Sequence, residues 1–204
     1  MRDLERALTD IQAVRSQIAR GMEFRGYGPV AFAATGLLAL AAASIQGVFI
    51  DDPKSDTGVY LALWIATASL SALIIAIDVL TRSRRVHSGL ANEMVQTAAE
   101  HLLPSLVAGA LLTFVIARFV PQSVWMLPGL WQIILSLGIF ASCRLLPAPF
   151  MAAGVWYLGA GLLCIALTNE SNALSPWMMG LPFGVGQLFA ALLVRRFGAG
   201  HAED

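Results

Sequence analysis

Residues 57–79 read TGVYLALWIATASLSALIIAIDV, and Asp78 is the only charged side chain among them. At 1.5 Å per residue, a helix of this length measures about 35 Å, which is enough to cross the roughly 30 Å hydrocarbon core of a bilayer. The run shows none of the alternation that marks a β-barrel strand. Because lipid offers no partners to backbone polar groups, the stretch predicts a transmembrane helix.

Composition extends this prediction to the whole chain. Of the 204 residues, 57% are hydrophobic and 13% are charged, whereas about a quarter of the residues in a soluble domain are charged. We therefore predict an all-α, polytopic helix bundle with six transmembrane helices in a lipid bilayer. The formal net charge is zero, so nothing indicates direct binding of nucleic acid. The six apolar runs cover residues 30–50, 57–79, 102–120, 124–143, 149–168 and 176–194.

The placement of arginine predicts the orientation. One side of the predicted membrane receives Lys54 alone, Arg118 lies near a span end, and all other basic residues fall on the opposite side. By the positive-inside rule, both termini lie in the cytoplasm. The chain then divides into a cytoplasmic amphipathic helix (1–28), a six-span membrane domain of three parallel hairpins (29–196) and a cytoplasmic tail (197–204). The basic residues on the cytoplasmic side are Arg2, Arg6, Arg15, Arg20, Arg25, Arg82, Arg84, Arg85, Arg144, Arg195 and Arg196.

Residues 3–20 carry the strongest amphipathic pattern in the chain. Five apolar residues recur at spacings of four, three, three and four, which places them on one face of a helix. The polar face mixes acidic and basic residues, whereas helices that lie on lipid are usually basic there. We therefore expect the stripe to be buried against protein: the chain's own residues 90–101, a second copy, or a soluble cytoplasmic partner. The partner-binding residues are Leu4, Leu8, Ile11, Val14 and Ile18.

Two glutamines interrupt otherwise apolar runs. Gln132 and Gln187 lie about 12 to 17 Å inside the ends of spans four and six, where each amide must satisfy several hydrogen-bonding sites. Either the two amides bond to each other as structural glue, or they line a polar pocket with nearby aromatic residues. Arg118 either reaches the lipid headgroups or contacts an anion. The predicted pocket consists of Arg118, Trp131, Gln132, Trp156, Tyr157 and Gln187.

Small residues and prolines predict close helix packing with kinks. Small residues recur at every fourth position in spans one, two and six, which favours packing within the monomer, with self-association through Gly180 as the alternative. Pro104, Pro128 and Pro182 predict kinks, and the carbonyls freed in spans four and six are expected to line a small cavity. The small residues are Ala39, Ala43, Gly47, Ala68, Ala72, Ala76, Gly180 and Gly184.

The sequence carries no pattern that is typical of catalysis. No span contains a histidine that would serve a serine nucleophile as base, and HExxH, phosphate-loop and CxxC motifs are absent. Asp78 is followed four residues later by Arg82, a spacing that favours an ion pair. The Trp-Met pairs at 125–126 and 177–178 predict interfacial aromatic belts, whereas a Cu(I) site at these thioethers would lack a histidine or cysteine ligand. We expect no enzymatic activity and no cofactor.

Three segments carry a resemblance to known proteins. They are residues 16–29 (SQIARGMEFRGYGP), 125–132 (WMLPGLWQ) and 175–187 (SPWMMGLPFGVGQ). In these segments the chain resembles a group of uncharacterised bacterial six-helix inner-membrane proteins. The resemblance extends over nearly the whole chain and implies a single membrane domain in a bacterial inner membrane. It implies no activity, because the group has none assigned.

The functional expectation depends on the apolar stripe of the N-terminal helix. We expect a regulatory or scaffolding membrane module that docks a cytoplasmic partner or a second copy through this stripe. The alternative is a small-molecule or ion transporter or channel with a polar pocket among helices 3 to 6. That alternative predicts a hydrated cavity around Gln132 and Gln187.

Overall fold

A computed structural model describes residues 28–85, 89–142, 150–169 and 172–199. Within these ranges the chain forms six α-helices and no strand. The predicted partner-binding helix lies outside the described residues. A 3-10 helix, Pro121–Met126, precedes the fourth α-helix. The helices are α1 (Pro29–Phe49), α2 (Thr57–Arg85), α3 (Gly89–Phe119), α4 (Leu127–Ser142), α5 (Phe150–Leu167) and α6 (Pro176–Ala199).

The lengths of these helices confirm the predicted membrane bundle. Five stretches of 18 residues or more are apolar enough to cross a bilayer. The apolar part of α5, Met151–Leu167, is shorter. At 1.5 Å per residue it measures about 26 Å, which is at the lower limit for a span. The five longer spans are Pro29–Phe49, Thr57–Thr81, Leu102–Phe119, Pro121–Ser142 and Pro176–Arg196.

Three helices continue past the predicted spans on the arginine-rich side. α2 runs to Arg85, and α3 begins at Gly89, ahead of the predicted start of span three at residue 102. α6 runs to Ala199, past the predicted domain boundary at residue 196. The ends of α2 and α6 carry arginines, and all three helices extend past their apolar runs.

The six helices form a ring in which successive helices are neighbours and α1 closes on α6. The most extensive contacts are α1 with α6 and α4 with α5, so each joins helices from different hairpins. Only 11% of the apolar span is buried in α2 and in α3, compared with 39% in α1. α2 and α3 are thus the helices with the widest lipid-facing surfaces.

Close packing of α1 on α6 depends on small residues. Gly180 contacts the side chain of Ala43, and a Cβ atom at Gly184 would lie 2.7 Å from Leu40. A Cβ atom at Gly36 would lie 3.0 Å from the Gly184 carbonyl oxygen. Larger side chains at these glycines would separate the helices. The predicted use of Gly180 and Gly184 within the monomer is confirmed.

The small-residue prediction is wrong for α2. Its three alanines at every fourth position are exposed, so they bring no helix of the monomer close. α2 instead turns its large aromatic face inward, with Tyr60 and Trp64 almost fully buried. Burial of two aromatic side chains removes far more apolar surface from lipid contact than alanines would, and it fixes the rotation of the helix. The exposed alanines are Ala68, Ala72 and Ala76.

The predicted kink at Pro128 is also wrong. Pro128 lies in the first turn of α4, directly after the 3-10 helix, and Leu127 donates its backbone N–H to the Val124 carbonyl. A proline in the first turn removes no helical hydrogen bond, because that N–H has no partner inside the helix. Pro104 and Pro182 do lie inside α3 and α6.

Candidate functional site: a cleft at the Lys54 end and the polar contacts beneath it

Three connections between helices meet at one end of the bundle, here called the Lys54 end: residues 50–56, residues 120–126, and residues 168–169 with 172–175. They enclose a cleft of about 460 Å³, within the range of roughly 300–1,000 Å³ that is typical of small-molecule sites. The cleft combines one basic side chain, several amides and hydroxyls, and an indole ring. It is lined by Lys54, Thr57, Pro121, Gln122, Val124, Trp125, Thr168, Asn169, Ala173 and Leu174.

The wall formed by residues 168–169 and 172–175 is held by its own hydrogen bonds. The backbone N–H of Asn169 donates to Asn172 Oδ1 at 2.7 Å, and the N–H of Asn172 donates to Asn169 Oδ1 at 3.1 Å. Leu174 follows with a φ of 62°, a left-handed conformation that is uncommon for a residue with a branched side chain. Its apolar side chain is buried in the core, and burial offsets the backbone strain.

Gln46 attaches this wall to α1 and α2. Its Nε2 donates to the Leu174 carbonyl at 2.7 Å, and its Oε1 accepts from Trp64 Nε1 at 2.7 Å. The Gln46 side chain is fully buried. An amide that is bonded through both ends in a dry interior fixes three segments relative to one another. Sequence reasoning missed Gln46, although a single amide in an apolar run is the same signal that indicated Gln132.

Gln132 does not bond to Gln187, so the predicted amide pair is wrong. Its Nε2 donates to the Met178 carbonyl on α6 at 2.9 Å. Pro182 has no N–H, so the carbonyl four residues earlier, at Met178, lacks its helical donor. The amide from α4 takes the place of that donor. The carbonyl freed by Pro182 is therefore engaged in a contact between helices and does not line an open cavity.

The structure does not bring the six predicted pocket residues together at one place, and none of them lines the cleft. Trp131 Nε1 donates to Thr113 Oγ1 at 2.7 Å, which joins α4 to α3. Trp156 Nε1 donates to the Pro182 carbonyl at 3.0 Å, which joins α5 to α6. These indoles act as bridges between helices.

Two predicted pocket residues meet at the interface of α5 and α6. The Tyr157 ring packs against Phe183, with ring centroids 5.3 Å apart. The Tyr157 hydroxyl lies against Gly186 and beside the Gln187 amide. Neither the hydroxyl nor Gln187 Oε1 makes a hydrogen bond to the described residues. This contact is part of the packed interior.

Arg118 lies apart from the glutamines. It is exposed in the last turn of α3, and its guanidinium carbon is 5.9 Å from the centre of the Phe119 ring. A cation at this distance over an aromatic face gains a modest electrostatic attraction. Its position at a helix end fits contact with lipid headgroups, one of the two roles that the sequence left open.

A sulfur pair lies between the cleft and Gln132. Cys164 Sγ is 3.6 Å from Met178 Sδ, and the Cys164 side chain is buried. The interpretation that no cysteine approaches the Trp-Met pairs is therefore wrong. Cys164 and Met178 lie on successive helices, and the packing of α5 on α6 brings the two sulfurs together. Two oxygens in this half of the bundle, Tyr60 Oη and Gln132 Oε1, are buried without a partner among the described residues.

The opposite end of α1 is attached to α2 by a carboxylate. The backbone N–H of Gly28 donates to Asp78 Oδ2 at 2.7 Å. A negative charge at a helix N-terminus is favourable, because the first N–H groups have no helical partner. Asp78 therefore acts at the start of α1, a role that the predicted ion pair with Arg82 did not include. The side chain of Arg82 lies outside the described residues, as do the partner-binding residues Leu4, Leu8, Ile11, Val14 and Ile18.

Comparisons with known proteins add no relative. No known protein family, curated protein or solved structure matches the chain. Among the residues that the structure describes, histidine, cysteine, aspartate and glutamate nowhere form a group of three that would hold a metal ion. The chemistry of the protein is therefore inferred from its own contacts.

Proposed function

We propose that the protein is a non-enzymatic regulatory or scaffolding module of a bacterial inner membrane. In this proposal both termini lie in the cytoplasm, and the stripe of the N-terminal helix docks a second copy or a cytoplasmic partner. The predicted stripe and the one-sided placement of arginine support it. The observation that carries it is the bond from the Gly28 N–H to Asp78. Gly28, the last residue of the segment predicted as the N-terminal helix (1–28), is thus fixed on α2.

The internal polar contacts support the same proposal. The amides of Gln46 and Gln132 and the indoles of Trp131 and Trp156 are engaged in bonds between helices. Side chains used in this way stabilise one arrangement of the bundle. A module of this kind supplies a fixed platform for a segment that binds at the membrane surface.

The experiment uses the full chain purified with two different fluorescent labels and reconstituted together in lipid vesicles. We expect energy transfer between copies to be lost in Ile11→Asp and retained in Thr9→Asp, which places the same charge on the opposite helix face. If the wild type shows no transfer, affinity purification from its own membranes should yield a partner protein. This partner should copurify with the wild type and with Thr9→Asp, and it should be absent from the purified Ile11→Asp. Self-association and partner binding that are both unchanged by Ile11→Asp would overturn the proposal.

A second candidate is a small-molecule or ion transporter or channel. The cleft of about 460 Å³ at the Lys54 end favours it, since such a volume suits a small solute. It requires a hydrated path that continues to Gln187. In a variant with both native cysteines replaced by serine, Gln187→Cys should then react with an impermeant thiol reagent in proteoliposomes. Leu192→Cys, on a lipid-facing surface, is the control that should stay unreactive. An unreactive Gln187→Cys would remove this candidate.

A further inference from the structure

The Cys164 and Met178 pair combines the two soft sulfur ligands available in proteins. Their sulfurs are 3.6 Å apart on neighbouring helices, α5 and α6. A bond from a d¹⁰ ion to a thiolate is usually about 2.3 Å long. At an ion placed at this distance from both sulfurs, the angle between the two bonds would be roughly 100°. This angle is close to tetrahedral and leaves coordination positions open. The pair is therefore already spaced for joint ligation.

Met178 is held in place by its backbone. Gln132 Nε2 donates to the Met178 carbonyl at 2.9 Å, and Cys164 Sγ lies 4.0 Å from the same carbonyl oxygen. The amide from α4 thus fixes the turn of α6 that carries the thioether, at the level of the thiol. Contacts of this kind orient ligands and raise the affinity of metal sites.

Two buried oxygens without a partner among the described residues belong to side chains that interact with Cys164 or Met178. Tyr60 is fully buried, its hydroxyl interacts electrostatically with Cys164, and this hydroxyl makes no hydrogen bond to the described residues. Gln132 Oε1 is likewise buried and unpartnered, on the amide whose nitrogen bonds Met178. A buried oxygen without a donor costs free energy. A cation or its bound water among these atoms would satisfy both oxygens.

The cleft supplies an approach to this place. Thr168 lines the cleft, and its hydroxyl donates to the Cys164 carbonyl one turn earlier in α5. Val124 and Leu174 also line the cleft and belong to the same core cluster as Tyr60. The sulfurs therefore lie about one helical turn below the cleft wall, which is the distance that an ion must cross to reach them.

We propose that Cys164 and Met178 form a binding site for a soft monovalent cation, Cu(I), beneath the cleft at the Lys54 end. Thiolate and thioether ligands select Cu(I) over harder ions. Binding replaces the thiol proton: Cu⁺ and the Cys164 thiol give a copper thiolate and a proton that leaves through the cleft, with no change of oxidation state. The bound unit is neutral, which avoids an uncompensated charge in the apolar interior. Met178 Sδ adds the second bond without adding charge.

The experiment titrates Cu(I), under reducing conditions and without oxygen, into the purified full chain in lipid nanodiscs against a coloured Cu(I) chelator. We expect one ion per chain, and at least a tenfold loss of affinity in Cys164→Ala and in Met178→Leu. Cys143→Ser and Met151→Leu are the matched controls that should retain the wild-type affinity. The Met151 side chain is exposed and lies at the opposite end of α5.

A second measurement needs no variant at the site. In Cys143→Ser, Cys164 is the remaining cysteine, and bound Cu(I) should protect it from alkylation in nanodiscs without denaturant. X-ray absorption of the copper-loaded protein should show two bonds from copper to sulfur. Stoichiometric binding that survives both Cys164→Ala and Met178→Leu would overturn the proposal. So would alkylation at an unchanged rate in the presence of Cu(I). If Cys164→Ala fails to fold, Met178→Leu and the protection measurement decide.

Discussion

The contact of Gln132 with the carbonyl that Pro182 frees can be tested by a double-mutant cycle. Gln132→Leu removes the amide donor and leaves the Met178 carbonyl oxygen with only the weak contact of the Cys164 thiol, 4.0 Å away. Pro182→Ala restores a backbone N–H at position 182, which can reach the same carbonyl within α6. We therefore predict that Gln132→Leu lowers the free energy of unfolding more in the wild-type protein than in the Pro182→Ala variant.

The expected size of this coupling follows from the site. Hydrogen bonds between membrane helices contribute on average about 0.6 kcal/mol and at most about 1.7 kcal/mol. Gln132 is fully buried, and loss of its donor leaves the carbonyl with only a weak thiol contact, so we expect a coupling of about 1 kcal/mol. Gln132→Leu also removes the unpartnered Oε1. That gain is the same in both backgrounds and cancels in the cycle.

The assay is reversible unfolding of the purified chain in mixed micelles by a denaturing detergent, followed by tryptophan fluorescence and circular dichroism. Trp131→Phe is the matched control. It removes the hydrogen bond that Trp131, the residue before Gln132, donates to Thr113. Its effect on stability should be additive with that of Pro182→Ala. Additivity of Gln132→Leu with Pro182→Ala to within about 0.3–0.5 kcal/mol would refute the reasoning.

Three further predictions use the same unfolding assay. Gly161→Ala should destabilise by about 1–3 kcal/mol, because its Cβ atom would lie 2.7 Å from a backbone carbonyl of α4, whereas Gly159→Ala, with no atom within 4 Å, should be neutral. Gln46→Leu should cost about 2 kcal/mol or more, since it removes two buried bonds; a loss below 0.5 kcal/mol, roughly the least that one hydrogen bond contributes, would contradict this. Asp78→Ala should cost about 0.5–2 kcal/mol through the loss of the Gly28 contact, and unchanged stability would contradict the anchoring role.

Local properties of the sequence were enough to predict the helices. Each apolar run is long enough to span a bilayer, and lipid leaves the backbone no alternative to a helix. The same kind of reasoning placed Gly180 and Gly184 at a contact within the monomer. It failed for the alanines of α2, because periodicity does not reveal which face of a helix carries the better packing surface. There the aromatic pair Tyr60 and Trp64 determines the inward face.

The partners of the polar side chains required the packing order of the helices. The position of Pro182 in the sequence shows that the Met178 carbonyl lacks its helical donor. That Gln132 replaces this donor is known only from the packing of α4 beside α6. The sequence suggested Gln187 as the partner of Gln132, because both are amides within apolar runs. In the structure the partner of Gln132 is instead the backbone carbonyl that Pro182 frees. Cys164 and Met178 are similar: each is unremarkable in its own run, and they meet because α5 packs on α6.

The hydrogen bonds at the two ends of α1 bear on how the bundle would respond to docking. Gln46 bonds Trp64 of α2 near one end, and Gly28 bonds Asp78 of α2 at the other. α1 is also packed closely on α6 through its glycines. A displacement of α1 would therefore also displace α2 and α6, because α1 is hydrogen-bonded to α2 at both ends and packed closely on α6. Docking at residues 3–20 would then reach the Lys54 end through Gln46 and Leu174, which lines the cleft. On this reasoning Gln46→Leu should uncouple the two ends of the molecule without preventing docking, whereas Ile11→Asp should prevent docking and, with it, any effect of docking on the Lys54 end.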